Sequence, residues 1–426
     1  MTAQPHAQSY YAATANQNFS FEPLQGKITA DVCVIGSGIT GVSAALDLAE
    51  QGYRVVVLEA ERVGWGASGR SGGQAIFGWG CEQYALEKMV GLENAKQFWN
   101  IAQEGLELTK SSIRKHQIDC DWRDGMAHLG LKPRHDRELK EWQHKLENTY
   151  GYSSLTYWDQ NAVREHIGSP LYTSGLFDQN SGHLHPLNYT LGLVKAAQAA
   201  GVQFYEDSRV ISLKQGDPAR VQTAQGEVTA NYVLMACNAY LEGLSGYLVS
   251  RVMPVGTYIA ATKPLGKDRC EQLMKDNIAA CDINFVLDYY RCSADHRMLF
   301  GGRVSYSGID PRNLEYAMRP RMEKVFPQLK GVEIDYTWGG FVGITMNRAP
   351  HFGKLASNIF YAQGFSGHGI AATNIAGKLM SEAIVSTSER LDLFSKIPHR
   401  PFPGGRLFRT PALVLAMAYF RIRDRL

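Results

Sequence analysis

The stretch Asp31 to Ala60, DVCVIGSGITGVSAALDLAEQGYRVVVLEA, decides how the rest of the chain is read. Val32, Val34 and Ile35 predict a short buried strand that runs straight into Gly36, Gly38 and Gly41 at G-x-G-x-x-G spacing. Gly36 permits a tight turn, Gly38 lets backbone approach a pyrophosphate, and Gly41 lets the helix Val42 to Gln51 pack closely on its strand. The pyrophosphate then sits on the helix N-terminus, where unpaired N–H groups and the dipole favour negative charge. Ser37, Ile39 and Thr40 belong to the same turn and are assigned with it. Gly52 closes the helix, Arg54 to Leu58 supplies a second apolar strand, and Glu59 follows Gly41 by 18 residues. A carboxylate there accepts ribose hydroxyls and disfavours a 2′-phosphate; Ala60 adjoins it. A lone glycine motif is weak evidence, whereas strand, glycines, helix, strand and acid in this order are specific.

Composition bounds the remaining possibilities. The chain has 426 residues, 45% of them hydrophobic and 20% charged, which is enough to bury a large core and predicts two domains. A formal charge of +3 over 44 basic and 41 acidic residues leaves no basic stripe, so nucleic acid is not an expected partner. Seven scattered cysteines without a C-x-x-C pair fit a reducing cytoplasm with no structural metal. The N-terminal MTAQPHAQSYYAATANQNFS has neither the pattern of a signal peptide nor that of a membrane span, and reads as an aromatic-bearing arm.

Past Glu59, the segment Glu61 to Gln74 is glycine- and serine-rich and cannot form the interior of a helix or strand. Its free backbone amides can face a cofactor, so Ala67, Ser68, Gly69, Arg70, Gly72, Gly73 and Gln74 join the cofactor-binding set. Tyr84 to His116 and Arg134 to Asn148 have helical periodicity, and Leu187 to Ala200 predicts a helix entered through Gly182-His183-Leu184-His185-Pro186. His183 and His185 would share one face of a strand, but no third ligand accompanies them, and a structural role is the better reading. Strands are expected at Val202–Tyr205, Val210–Leu213, Arg220–Thr223, Glu227–Ala230, Tyr232–Ala236, Arg251–Thr262 and Phe285–Arg303. Arg312–Phe326 predicts a helix stopped by Pro327. Ile359–Gln363 predicts a strand that breaks into Gly364-Phe365-Ser366-Gly367-His368-Gly369 and opens a helix from Ile370 to Val385. The apolar run Pro411–Phe420 is far short of the ~20 residues that span a bilayer, and with Arg421, Arg423 and Arg425 behind it, it leaves weak membrane-surface contact as an option.

Only one dinucleotide fingerprint is present. The Gly364–Gly369 turn has the wrong glycine order for a second pyrophosphate, and is better read as a helix N-terminus aimed at an electron-rich ring such as a flavin. With the GSGITG fingerprint, the glycine loop Gly64–Gln74, His185-Pro186, Trp338-Gly339 and the Gly364–Gly369 turn, the chain resembles the D-amino-acid oxidase/glycine oxidase/sarcosine oxidase superfamily of FAD enzymes along nearly its whole length. Ser9–Ala13, Gln117–Asp121, Leu287–Arg291, Phe326–Gly331 and Pro401–Arg406 narrow the likeness to a branch acting on a γ-glutamylated diamine.

The resemblance implies an α/β fold in which a Rossmann-like FAD-binding domain is interleaved with an α+β substrate domain built on an antiparallel sheet. The expected boundaries are 27–90, 151–245 and 334–400 for the first, 91–150 and 246–333 for the second, and terminal arms at 1–26 and 401–426. It adds Val210, Gly364, Gly367, His368 and Gly369 to the cofactor set, and places His368, Arg291, Tyr290 and Tyr289 at the catalytic centre. Alternating strand geometry sets Tyr289 and Arg291 on one face and Tyr290 on the other. Family members that attach FAD covalently use a His near the first loop or a Cys near Trp338–Thr345; this chain has neither, so a noncovalent FAD is expected. Ser71 and Asn347 depart from the family's usual Asn and Asp. The implied activity is oxidation of the primary amine of γ-glutamylputrescine, with oxygen as acceptor. The alternatives are oxidation of sarcosine, glycine, a D-amino acid or another amine, and a flavoprotein interaction module without turnover.

Overall fold

In a computed structural model, which describes residues 4–284, 286–305 and 313–404, the opening stretch folds as a strand Gly26–Ile35, a helix Ile39–Glu50 and a strand Val55–Leu58. The strand starts well before its apolar run because its exposed first half pairs in parallel with Gly226–Ala230, in register Gly26 to Gly226. Among the described residues this unit sits in an eight-stranded sheet. Its order from one edge is His351–Ala356, Ile359–Gln363, Gly226–Met235, Gly26–Ile35, Val55–Leu58 and Gln203–Tyr205, with the hairpin of Ser212–Lys214 and Ala219–Gln222 beside Gly226–Met235. Its four central strands run parallel, so the carboxyl ends Ile35, Leu58, Met235 and Gln363 share one side, where such sheets bind ligands.

A second sheet has nine strands among the described residues. Its order is Ile334–Ile344, Met253–Thr262, Met298–Ser305, Tyr289–Cys292, Ala279–Asp282, Arg123–Gly130, Ser174–His183 and Gln74–Ala75, with Leu155–Trp158 also on Ser174–His183. It is antiparallel except where Ala279–Asp282 meets Arg123–Gly130. The strands Leu155–Trp158, Ser174–His183 and Ile334–Ile344 belong to this second sheet, so sheet membership divides the chain differently from the expected boundaries.

The helices Ile39–Glu50 and Ile370–Val385 pack on each other and cover one face of the parallel sheet with Val42, Ala44, Leu48, Ile375, Ala376 and Leu379. They meet at Gly377, where a Cβ would lie 2.8 Å from the Ala44 amide nitrogen, so this crossing admits no side chain. Several element limits differ from expectation for local reasons. Gly91, at φ +79°, splits the expected helix 84–116 into Gln83–Val90 and Leu92–Lys115. The two strands expected at 227–230 and 232–236 are one, Gly226–Met235, because its pairing with Gly26–Ile35 continues on either side of Asn231. The run 285–303 holds two strands, Tyr289–Cys292 and Met298–Ser305, joined by a turn in which Ser293 Oγ accepts from the Arg297 amide at 2.9 Å.

The N-terminal arm is part of the core. Ser9 caps a short helix Tyr10–Ala13 through the Ala12 amide, and Tyr11 is fully buried with its ring edge-on to His185 and Trp338, at 4.9 and 5.1 Å. His185 in turn caps the helix Pro186–Ala199, its Nδ1 accepting from the Asn188 amide at 3.1 Å while Nε2 faces Thr14 Oγ1 at 3.0 Å. His183 faces the Asn277 carbonyl through Nε2 at 2.6 Å. Both histidines are thus occupied with backbone and hydroxyl partners. Among the described residues no helix is long and apolar enough to cross a membrane, and the Pro411–Phe420 run with its arginines lies outside them.

Burial holds His128 down to about 4, and His183, His185 and His351 down to about 3. Unfolded, these rings take protons near 6.5, so between that value and the folded ones the unfolded chain binds more protons and stability falls as pH falls. Each buried ring contributes up to about 1.4 kcal/mol per pH unit in that window. The melting temperature is expected to drop steeply from pH 6.5 to 4.5, with a shallower slope in His351→Gln. A flat profile over that range would contradict the buried neutral rings.

Candidate active site

The carboxyl ends of the parallel strands and the facing side of the second sheet enclose a cavity of about 1960 Å³. Its wall brings together most of the residues expected at the cofactor. They are Gly36, Gly38, Ile39 and Thr40 of the first turn, Glu59 and Ala60, Ala67, Ser68, Gly72, Gly73 and Gln74 of the glycine loop, Val210, and Gly367, His368 and Gly369. Five expected residues support this wall from behind. Ser37 binds Glu59, Gly41 packs where a Cβ would lie 2.0 Å from the Gly36 carbonyl oxygen, and Gly69 likewise abuts Gly64 at 2.3 Å. Gly364 packs against Thr345, where a Cβ would lie 2.4 Å from its Cγ2. Arg70 folds back over the Trp65 ring at 4.0 Å, its Nε donating to the Trp65 carbonyl at 2.7 Å. Arg70 therefore braces its own loop, where its expected place was on the cofactor.

Glu59 ends its strand with one oxygen accepting from the Ser37 amide at 2.9 Å and the Ser37 hydroxyl at 2.6 Å, and the other accepting from the Glu61 amide at 3.0 Å. Burial raises its carboxyl above the usual carboxylate range against the pull of these donors, and the three hydrogen bonds fix its orientation at the cavity edge. At the helix N-terminus the Ile39 amide donates to Ser68 Oγ at 3.0 Å, which ties the glycine loop to the first turn. Glu59→Gln keeps an acceptor but removes the charge, and is expected to weaken FAD about tenfold, equivalent to ~1.4 kcal/mol. Flavin titration of the apoprotein measures this, and an unchanged dissociation constant would remove Glu59 from the ribose.

Two buried groups on the wall, Ser71 Oγ and Gln74 Nε2, have no hydrogen-bond partner among the described residues. A buried polar atom left unpaired costs about 1–3 kcal/mol, so these atoms call for a polar ligand. An isoalloxazine, with nitrogen and oxygen acceptors along one edge, fits that demand, and the anion-binding turn with its ribose acid fits the rest of FAD. His368 also faces the cavity; its Nε2 lies 3.3 Å from the Ile76 carbonyl, and burial holds the ring down to about 4, so it is neutral at physiological pH.

The strand Tyr289–Cys292 alternates as expected, with a different consequence. Tyr289 is on the cavity wall, its ring lying flat where Cβ atoms on Gly72 and Gly301 would come within 2.6 and 2.0 Å. Tyr290 points the other way into the second core, stacked on Phe300 at 5.8 Å and edge-on to Phe326 at 4.9 Å. Arg291 is 3% exposed and lies off the wall. Its Nε donates to the Gly72 carbonyl at 2.8 Å and its Nη2 to the Leu184 carbonyl at 2.9 Å and the Tyr11 hydroxyl at 3.1 Å. Tyr290 and Arg291 are therefore corrected from pocket residues to, respectively, a core ring and a clamp beneath the cofactor loop. Asp288 and Asp295, the carboxylates nearest to Arg291 in sequence, pair with Arg321 and Arg297. Arg291→Met would leave two carbonyls unpaired and is expected to lower the melting temperature and loosen FAD, without changing relative kcat/KM between amine substrates. A shift in that ratio would return Arg291 to the pocket.

Sequence reasoning missed a further group on the wall: Phe77, Met126, His128, Arg134, Trp142, Cys281 and Asp282. Met126 and His128 alternate within Arg123–Gly130, and a histidine at an inward strand position was the available signal. Asp282 is 3% exposed and is pushed up to about 7 by burial and by the neighbouring Asp288.

This constellation is that of a flavin-dependent oxidoreductase, and the comparisons agree. Residues 31–383 match the FAD dependent oxidoreductase family model, and the chain belongs to that family. It is 44% identical over 424 residues to Gamma-glutamylputrescine oxidoreductase of Escherichia coli strain K12, covering 99% of each chain. Among solved structures, glycine oxidase from Bacillus cereus ATCC 14579 superposes with a TM-score of 0.72 at 20% identity, over 87% of this chain and 99% of that one. L-proline dehydrogenase from P. horikoshii superposes at 0.71 with 19% identity, over 87% and 96%.

Proposed function

We propose that this enzyme oxidises the primary amine of γ-glutamylputrescine, giving γ-glutamyl-γ-aminobutyraldehyde and ammonia, with oxygen as electron acceptor and hydrogen peroxide as its product. The observation that carries this reading is the end-to-end likeness to the E. coli enzyme of that substrate. FAD bound at the glycine turns supplies a two-electron acceptor. The carbon bearing the amine gives up its hydrogen with the bonding pair, the nitrogen lone pair becomes the imine π bond, and water then hydrolyses the imine to aldehyde and ammonia.

That step needs a neutral amine, and the wall suits it. His128 and His368, both held down to about 4, add no positive charge at neutral pH. Phe77, Met126, Trp142 and Tyr289 desolvate the substrate, which lowers the pKa of an ammonium. We infer a noncovalent FAD, since residues 59–74 hold no His and 338–345 no Cys, and a cytoplasmic enzyme, since all seven cysteines are free thiols.

Anaerobic mixing of the holoenzyme with γ-glutamylputrescine tests the reading. The flavin absorbance is expected to bleach within a turnover and to return on adding oxygen, with one peroxide per aldehyde. Bleaching only by a different amine would replace the substrate. A reduced flavin that persists in air but discharges to a quinone would replace the acceptor.

A further inference from the structure

The most unusual buried group outside the cofactor contacts is His128. It is 7% exposed, and its ring is bracketed by Trp142 at 5.0 Å and Phe77 at 5.7 Å, both edge-on. Its Nδ1 lies 3.4 Å from Cys281 Sγ, the neighbour across the strand pair, while Nε2 is buried on the cavity wall without a partner. Burial pushes the Cys281 thiol up, so the sulfur keeps its proton and is available to donate it to Nδ1. With the thiol donating to Nδ1, the neutral ring carries its own proton on Nε2, a donor that no described protein group satisfies.

Next to this donor runs the helix Pro133–Tyr150, which carries Trp142. Arg134, in its first turn, is also on the wall, with a buried Nε that has no partner among the described residues. Glu138, one turn further, lines the cavity too, and no ion pair joins it to Arg134 among the described residues. His128, Arg134 and Glu138 thus offer a neutral donor, a cation and an anion on this stretch of wall, beside Glu141, Lys145 and Asp282. A simple diamine has no oxygen for the first and no anion for the second. A γ-glutamyl amide has a carbonyl, a carboxylate and an α-ammonium.

We propose that this wall is the subsite for the γ-glutamyl end of the substrate, with His128 Nε2–H donating to the amide carbonyl, Arg134 holding the carboxylate and Glu138 the α-ammonium. The proposal rests on the substrate reading above and assigns to His128 and Arg134 the recognition that Arg291, turned to the cofactor loop, does not perform. Buried groups built to bond a substrate discriminate strongly against analogues that lack the partner, because they are then left unpaired.

The probe is γ-glutamyl-n-butylamide, which has the glutamyl head but lacks the terminal amine at which γ-glutamylputrescine would be oxidised. Its affinity for the oxidised holoenzyme is measured by calorimetry, beside the ratio of kcat/KM for γ-glutamylputrescine over putrescine. His128→Phe and Arg134→Met should each weaken the probe at least tenfold and lower that ratio at least tenfold. His128→Gln and Arg134→Lys, which keep a donor and a charge, should recover part of both. Flavin absorbance and melting temperature identify any variant that fails to fold, and the conservative pair then decides. A wild type that oxidises γ-glutamylputrescine while all four variants bind the probe equally overturns the subsite alone. A wild type that oxidises another amine and ignores the probe overturns the substrate reading and the subsite together.

Discussion

The guanidinium of Arg291 is the contact on which the site's construction depends. A buried cation is costly unless its donors are satisfied, and here they reach the Gly72 and Leu184 carbonyls and the Tyr11 hydroxyl, with no carboxylate among them. Those partners come from three separate pieces of chain: the glycine loop, the entry to the helix Pro186–Ala199, and the N-terminal arm. One side chain on the second sheet therefore fixes the loop of the first. Its charge also acts sideways, adding to burial in keeping His183 and His185 neutral. Neutral rings are what those positions need, because His185 must accept an amide at Nδ1 to cap its helix.

Once the loop is fixed, small residues determine how closely the wall is drawn. The Tyr289 ring lies where side chains on Gly72 and Gly301 would collide with it, so loop, ring and neighbouring strand form one layer. Ser68 couples that layer to the helix N-terminus through the Ile39 amide. Trp338 adds a third tie, donating from Nε1 to the Arg70 carbonyl at 2.9 Å. Each contact joins residues far apart in sequence, so the loop Glu61–Gln74 is rigid by tertiary bonding although its composition alone would make it flexible.

How much of this was legible follows from range. Strand, glycine turn, helix and acid are local, and periodicity with glycine spacing located them within a few residues. The Gly364–Gly369 turn was legible for the same reason. The role of Arg291 was not, because strand alternation gives a face and says nothing of what lies opposite; Tyr289 and Arg291 do share a face, but only the tyrosine reaches the cavity. Nor was the burial of the arm legible, because nothing in Ser9–Ala13 shows that Tyr11 meets Trp338 and Arg291. His128 and Arg134 lie on a consecutive strand and helix, but Asp282 is far along the chain on another strand, so no spacing could have joined all three.

The same distinction explains the chemistry of the wall. A local motif can place a phosphate, since backbone amides suffice for that. Making a cavity electrically quiet requires burial from every side, which only tertiary packing supplies. Here burial lowers the histidines and raises the thiol of Cys281 and the carboxyl of Asp282, moving every one of these groups toward its neutral form. An ammonium brought against the Phe77, Met126 and Tyr289 side chains loses its hydration, so shedding its proton is the favoured response. The feature that prepares an amine for oxidation is therefore distributed over the wall, and it arises from packing more than from any one catalytic side chain.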